Sequence, residues 1–179
     1  YYPDDDGDGV ASNLDCDDTN PNIYPNAGDT YGDGVDSDCD GLDCAGDTYG
    51  DYYYIACFDL NTWDDSRTMC QAAGGDLASI HSAEENAFIL NLAAPAVPNQ
   101  GLSIGLHDMN VEKTFEWIDE TDVVYTNFSP GMLTGDNLNQ PTNDIVLMYV
   151  NNMSNPEDNG TWAPGESTDM TSRVCKIAP

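Results

Sequence analysis

The 179-residue sequence predicts an α+β domain over residues 48–179, preceded by a module at residues 1–47 with little regular secondary structure. Three observations predict this division. The first 51 residues hold fifteen Asp and no Lys, Arg or Glu. Two amphipathic helical stretches follow, and then many short apolar runs separated by Gly, Asn, Asp and Pro, an order that suits two helices packed with an antiparallel sheet. Six cysteines, an even number with no C-x-x-C pair, suit structural disulfides better than zinc or redox chemistry and place the chain outside the cell.

The acidic module is built on two copies of D-x-D-x-D-G followed by an apolar residue, Asp4 to Val10 and Asp36 to Leu42. In a calcium loop, side-chain oxygens at positions 1, 3 and 5 converge on the ion. Gly at position 6 makes the sharp turn, position 7 offers its carbonyl, and position 12 is acidic. The first loop thus nominates Asp4, Asp6, Asp8, Val10 and Asp15, and the second Asp36, Asp38, Asp40, Leu42 and Asp47. About two calcium ions are expected. A weaker third site at Asp15, Asp17 and Thr19 lacks the Gly and has Asn26 at position 12. Only Val10, Leu14, Ile23, Tyr24, Val35 and Leu42 could form a core here, too few to order some forty residues without ions and a disulfide. Cys16 and Cys39, each beside a proposed loop, form the natural bridge.

The run Asp15-Cys16-Asp17-Asp18, then Asn20-Pro21 and Pro25-Asn26-Ala27, then Asp38-Cys39-Asp40-Gly41 resembles the MopE-like Asp/Cys metal-binding repeat of secreted and surface proteins. That repeat is similar in logic to thrombospondin type 3 calcium repeats. The resemblance implies calcium-organised loops.

From Tyr49 the composition changes. Tyr52 to Phe58 reads as an aromatic-rich strand. A helix is expected from Trp63 to Ala73, capped by Asn61 or Thr62, with Trp63, Met69, Cys70 and Ala73 inward and Gly74-Gly75 as its stop. Leu77 to Ile80 predicts a short strand. Ser82 and Glu85 form a capping box that starts a second helix running through Leu92, which Pro95 and Pro98 end. Short strands are then expected at 102–106, 115–118, 123–125, 145–150, 161–163 and 173–177.

Together, Trp63 through Cys70, Gly74 to Ile80, Glu84-Glu85, Ile104-Gly105-Leu106, Phe115-Glu116-Trp117, Tyr125 to Phe128, Gly160-Thr161-Trp162 and Val174-Cys175 resemble the framework of a C-type lectin domain. The resemblance implies a disulfide from Cys70 to Cys175; closing roughly 100 residues, it contributes about 4 to 5 kcal/mol in the chain-entropy description. The pairing of Cys44 with Cys57 rests on the same resemblance, since six cysteines allow fifteen pairings. At the family's sugar-type calcium positions this sequence reads Met132, Leu133, Thr134, then Asn143, then Ala163 and Pro164, with no carboxylate among them. A calcium-held sugar site is therefore not expected there. A shifted variant, Gln140-Pro141-Thr142 with Asn137, Asn139, Asn143 and Asp144 nearby, makes the loop 129–143 the alternative carbohydrate site and the expected partner surface.

A formal charge of −29 excludes nucleic acid and anionic membrane as electrostatic partners. No apolar run has membrane-spanning length, so no membrane insertion is expected, and the chain begins at Tyr1, as a processed or excised piece would. Three Asn-x-Ser/Thr sequons begin at Asn127, Asn152 and Asn159. His81 and His107 stand alone at strand ends with no nucleophile motif, so no enzyme is expected. The resulting expectation is an extracellular structural or adhesion module. Its partner is a protein or a second copy, with carbohydrate binding as the alternative.

Overall fold

A computed structural model describes residues 2–28, 35–39, 44–94, 100–133 and 142–179. Among the described residues, eight strands and two α-helices follow one another, β1 Cys44–Tyr49, β2 Tyr52–Asn61, α1 Trp63–Ala72, β3 Asp76–Leu77, α2 Ala83–Ala93, β4 Gln100–His107, β5 Glu116–Trp117, β6 Ile145–Val150, β7 Trp162–Gly165 and β8 Thr171–Ile177, with a 3-10 turn at Pro156–Asp158 between β6 and β7. The main sheet runs in the order β1-β2-β8-β4-β6-β7, with β3 on β8 and β5 on β4. Every pairing between these strands is antiparallel except β4 with β8.

Strand β1 is an element that the sequence reading does not contain. Its residues, Cys-Ala-Gly-Asp-Thr-Tyr, show no apolar alternation. It forms because it lies antiparallel on β2, with Cys44 opposite Cys57 and Tyr49 opposite Tyr52. The stretch 123–125, expected as a strand, has no strand assignment, and Val124 is exposed. Strand β3 stops at Leu77; Ala78 to Ile80 are buried but irregular, held by Ala78 N–H on the Val174 carbonyl and Gly105 N–H on the Ala78 carbonyl. Pro95 and Pro98 lie outside the described residues.

Helix α1 starts as expected, with the Thr62 hydroxyl accepting the Asp65 N–H. Its buried stripe is Trp63, Ser66 and Cys70, not the predicted Trp63, Met69, Cys70 and Ala73. Residues 63, 66 and 70 share one face at helical spacing, which carries Met69 to the flank and leaves Ala73 exposed. Hydrophobicity misled because Ser66 is small enough to sit in the wall. Gly74 ends the helix at φ +89°. At Gly75 a Cβ would lie 2.3 Å from the Lys176 carbonyl oxygen. Gly75→Ala should therefore cost about 1 to 3 kcal/mol through overpacking against backbone, read as a lower thermal midpoint; an unchanged midpoint would show that β8 yields without cost.

The main core joins Tyr54, Ala56, Ile80, Ile89, Leu102, Ile104, Leu106, Trp117, Val146, Met148, Trp162 and Val174. Trp162 is its centre, with Trp117, Tyr125 and Phe128 all packed edge-on against it at 5.5 to 5.8 Å. Its indole N–H reaches Asn86 Oδ1 at 2.8 Å. A second cluster, Trp63, Cys70, Leu77, Ile145 and Cys175, surrounds the disulfide from α1 to β8. All three pairings expected from the sequence are present: Cys16–Cys39, Cys44–Cys57 and Cys70–Cys175.

Candidate metal site

Asp, Asn and Gly dominate residues 4–20, and their side chains fold the backbone back on itself through short turns. Asp4 accepts the N–H of Gly7 at 2.7 Å and of Gly9 at 3.2 Å, one on each carboxylate oxygen. Asp6 Oδ1 accepts from Asp8, Asp8 Oδ1 from Val10, and Asp15 Oδ1 from Asp17. Gly7 and Gly9 take φ of +85° and +101°, which makes the turn possible. In Asp6, Asp8 and Asp15 one oxygen is thereby held by backbone, and the other turns inward.

Carboxylates of this segment converge in two groups. Carboxylate oxygens of Asp4, Asp6 and Asp8 lie within 4.8 Å of one another, as do those of Asp6, Asp15 and Asp18. Asp6 Oδ2, Asp8 Oδ2 and Asp15 Oδ2 are each buried with no hydrogen-bond donor. Buried acceptors without donors are costly, and a cation is the partner that satisfies several at once. Burial, then the charges of Asp8, Asp15 and Asp4, push the Asp6 carboxyl above its ordinary range, against the opposing Asp8 N–H. The donor set is all oxygen in this cluster. Cys16 and Cys39 approach Asp15, but their sulfurs are joined in a disulfide and offer no thiolate. Hard-oxygen donors of this kind suit calcium.

Of the ten nominated residues, the first loop gathers Asp4, Asp6, Asp8 and Asp15, with Val10 half-buried behind Asp8. Asp18, part of the Asp15-Cys16-Asp17-Asp18 run but outside the twelve-residue loop, brings a carboxylate oxygen to Asp6 and Asp15. Its signal was its place three residues after Asp15, beyond the twelve-residue frame. Asp17, expected in the weaker third site, instead turns its Oδ1 to the N–H and hydroxyl of Thr19. Asp36 and Asp38 of the second loop are half-buried beside the Cys16–Cys39 bridge; carbonyls next to and within this pair hold the segment 24–26, Ser37 accepting from Tyr24 and Asp38 from Asn26. Asp40 and Leu42 lie outside the described residues. Asp47 is exposed on β1, opposite Tyr54. Among the described residues 2–28 and 35–39, Ile23 is the one buried hydrophobic side chain, so apolar packing contributes little there.

In the α+β domain, the positions of a sugar-type site stand on and near β7. Ala163 and Pro164 pair with Leu147 and Val146 in the β6–β7 ladder. Asn143 precedes β6, and Met132 N–H closes a turn on the Ser129 carbonyl. Thr134, Asn137, Asn139, Gln140 and Pro141 lie outside the described residues, while Thr142 donates to Glu166 at 3.3 Å. His107 packs against Trp63, and burial holds its imidazole below the ordinary range. His81 faces the Thr121 hydroxyl at 3.3 Å.

The profile of the C-type lectin domain matches residues 59–177. The chain belongs to the C-type lectin domain family. A second profile, described only as a metal-binding motif and labelled for copper binding in MopE, matches residues 15–48. The lectin portion is 32% identical over 117 residues to the human C-type mannose receptor 2, covering 65% of this chain and 7% of that receptor. It is 37% identical over 76 residues to the snaclec rhodocetin subunit delta of Calloselasma rhodostoma, covering 41% of this chain and 61% of that subunit. The crystal structure of human lithostathine superimposes on it with a TM-score of 0.66 at 26% identity, covering 75% of this chain and 89% of the other. The lectin fold thus accounts for the sheet, both helices and the Cys70–Cys175 bridge.

Proposed function

We propose that this chain is a non-catalytic extracellular module. In this reading, residues 1–47 form an acidic segment ordered by calcium, and the C-type lectin domain at 48–179 makes contact with a protein partner or a second copy. The observation that carries it is the set of three buried, donorless carboxylate oxygens on Asp6, Asp8 and Asp15, set against a lectin domain whose sugar-type positions offer no carboxylate. Asp4, Asp6, Asp8, Val10 and Asp15 hold one ion, and Asp36, Asp38, Asp40, Leu42 and Asp47 a second. Bound calcium supplies positive charge where carboxylates would otherwise repel one another. The oxygen donors favour calcium over the copper of the motif's label, because copper sites draw on imidazole and sulfur.

The snaclec relative is by its name a subunit, which supports a role in assembly. The mannose receptor's name favours the other reading, sugar binding through the loop 129–143. A glycan array with and without calcium separates them. Calcium-dependent binding of one sugar class would overturn the protein-contact reading. Sedimentation at millimolar calcium tests self-association, and a strictly monomeric species would leave a different protein as the partner.

A further inference from the structure

The three Asn-x-Ser/Thr sequons look alike in sequence and differ in the fold. Asn152 stands two residues past β6, in the connection that leads to β7. Its Oδ1 accepts the N–H of Ser154 at 3.1 Å and of Asn155 at 3.0 Å, while its own N–H donates to Asn159 Oδ1 at 2.6 Å. The amide oxygen is thus turned back on the chain. Nδ2, the other branch of the same carboxamide, has no acceptor among the described residues and is open to solvent. Met153 is 81% exposed, and Ser154 and Asn155 are exposed beside it.

The same pattern at Asn127 is folded inward. Its Nδ2 donates to the Gly160 carbonyl at 2.8 Å, and its carbonyl accepts the Trp162 N–H at 2.8 Å. Ser129 is buried, with its hydroxyl bonded to Asp158 and Thr161. At Asn159 the middle residue, Gly160, is buried, and the Thr161 hydroxyl donates to the Asp158 carbonyl at 2.6 Å. We infer that Asn152 is the acceptor of an N-linked glycan, and that Asn127 and Asn159 are closed to one in the folded chain.

The inference rests on the extracellular reading for access to the transferase of a secretory compartment. The sugar comes from a lipid-diphosphate donor. The bond from its anomeric carbon to the phosphate oxygen breaks, the lipid diphosphate leaves, the carbon bonds to Nδ2, and one amide proton passes to a base of the transferase. The enzyme reads the hydroxyl two residues beyond the Asn, and the product is bulky and hydrophilic, so it must project into water. Ser154 and Asn152 Nδ2 meet both conditions. A glycan there would keep partners off the 151–160 connection.

The test sends the full chain through the secretory pathway of cultured animal cells. The disulfide-bonded chain, secreted or retained, is treated with peptide N-glycosidase in heavy-oxygen water, which marks each formerly occupied Asn for mass spectrometry. Most chains should be marked at Asn152 and almost none at Asn127 or Asn159. Ser154→Ala should abolish the mark, since the Asn152 turn uses only the backbone N–H of residue 154, and Ser154→Thr should keep it. An unmarked Asn152, or marking at Asn127 or Asn159 equal to that at Asn152, would overturn the inference. Retention of a marked chain inside the cell would count against the extracellular reading alone.

Discussion

Excess chelator should abolish hydrogen-exchange protection in residues 2–28 while leaving the C-type lectin domain folded. The acidic segment has Ile23 as its one buried hydrophobic side chain among the described residues, so burial cannot hold it. What remains is the Cys16–Cys39 bridge, backbone turns such as Ile23 N–H on the Asn20 carbonyl, and a lattice of Asp-to-backbone hydrogen bonds, several of them at the surface. If calcium orders this segment as proposed, its removal leaves the converging carboxylates of Asp4, Asp6, Asp8, Asp15 and Asp18 to repel one another at short range. A ligand at one hundred times its Kd contributes about 2.7 kcal/mol, enough to decide the state of a segment with so little core. The lectin domain carries its own core and the Cys70–Cys175 disulfide, and Cys44–Cys57 fastens β1 to its first long strand. An exchange profile unchanged by chelator would sink the calcium-ordered reading.

Glu85→Ala should destabilise the lectin domain by about 3 to 5 kcal/mol, the scale for stranding the partner of a buried ion pair. Glu85 lies at the start of α2, where its backbone N–H donates to the Ser82 hydroxyl as the capping pattern requires. The side chain does something the pattern does not predict. One oxygen accepts from Lys176 at 2.7 Å and from the Tyr54 hydroxyl at 2.5 Å; the other accepts the His81 N–H at 2.7 Å. Both charged side chains are largely buried, at 6% and 10% exposure. In the variant Lys176 keeps only the Ser79 carbonyl and the rings of Tyr52 and Tyr54.

Burial by itself would raise the Glu85 carboxyl; the hydrogen bonds from Lys176, Tyr54 and His81, with the Lys176 charge, outweigh it and hold the group below its ordinary value. A group depressed in the folded state adds stability above its unfolded pKa and loses it as pH falls through the folded one. Urea midpoints should therefore begin to decline as pH falls below about 6.5, where unfolding lets the buried His107 take a proton, and decline further below the ordinary carboxyl value near 4.5 as the Glu85 contribution is lost. In Glu85→Ala part of that decline should vanish. An equal acid decline in both proteins would assign it to other carboxylates.

The sequence made the lectin frame legible where apolar residues and punctuation agreed. Gly74 after a helical stripe, Ser82 three residues before Glu85, and apolar runs at β4, β6 and β8 each point to their element without help from the fold. It failed where tertiary pairing decides. β1 has no pattern of its own and exists because β2 offers an edge; Ser66 is buried because α1 meets the sheet along its 63–66–70 face. In the acidic segment, spacing nominated Asp4, Asp6, Asp8 and Asp15, and the structure brings carboxylate oxygens of Asp4, Asp6 and Asp8, and of Asp6 and Asp15, within 4.8 Å of one another, since proximity along a loop is a local property. The contact of Asp18 with the Asp5 N–H was not legible, because it depends on how one turn folds onto another.

Strand β1 is the last strand on its side of the sheet, and its first residue, Cys44, is bonded to Cys57. Tension applied through the acidic segment arrives at Cys44. An edge strand pulled from its end unzips one hydrogen-bonded pair at a time, but here the first pair is covalent. The load passes at once into β2 at Cys57, which faces Arg173 of the central strand β8. The chain entering from the acidic segment is thus bonded covalently to the second strand of the sheet as well as hydrogen-bonded to it through the edge strand.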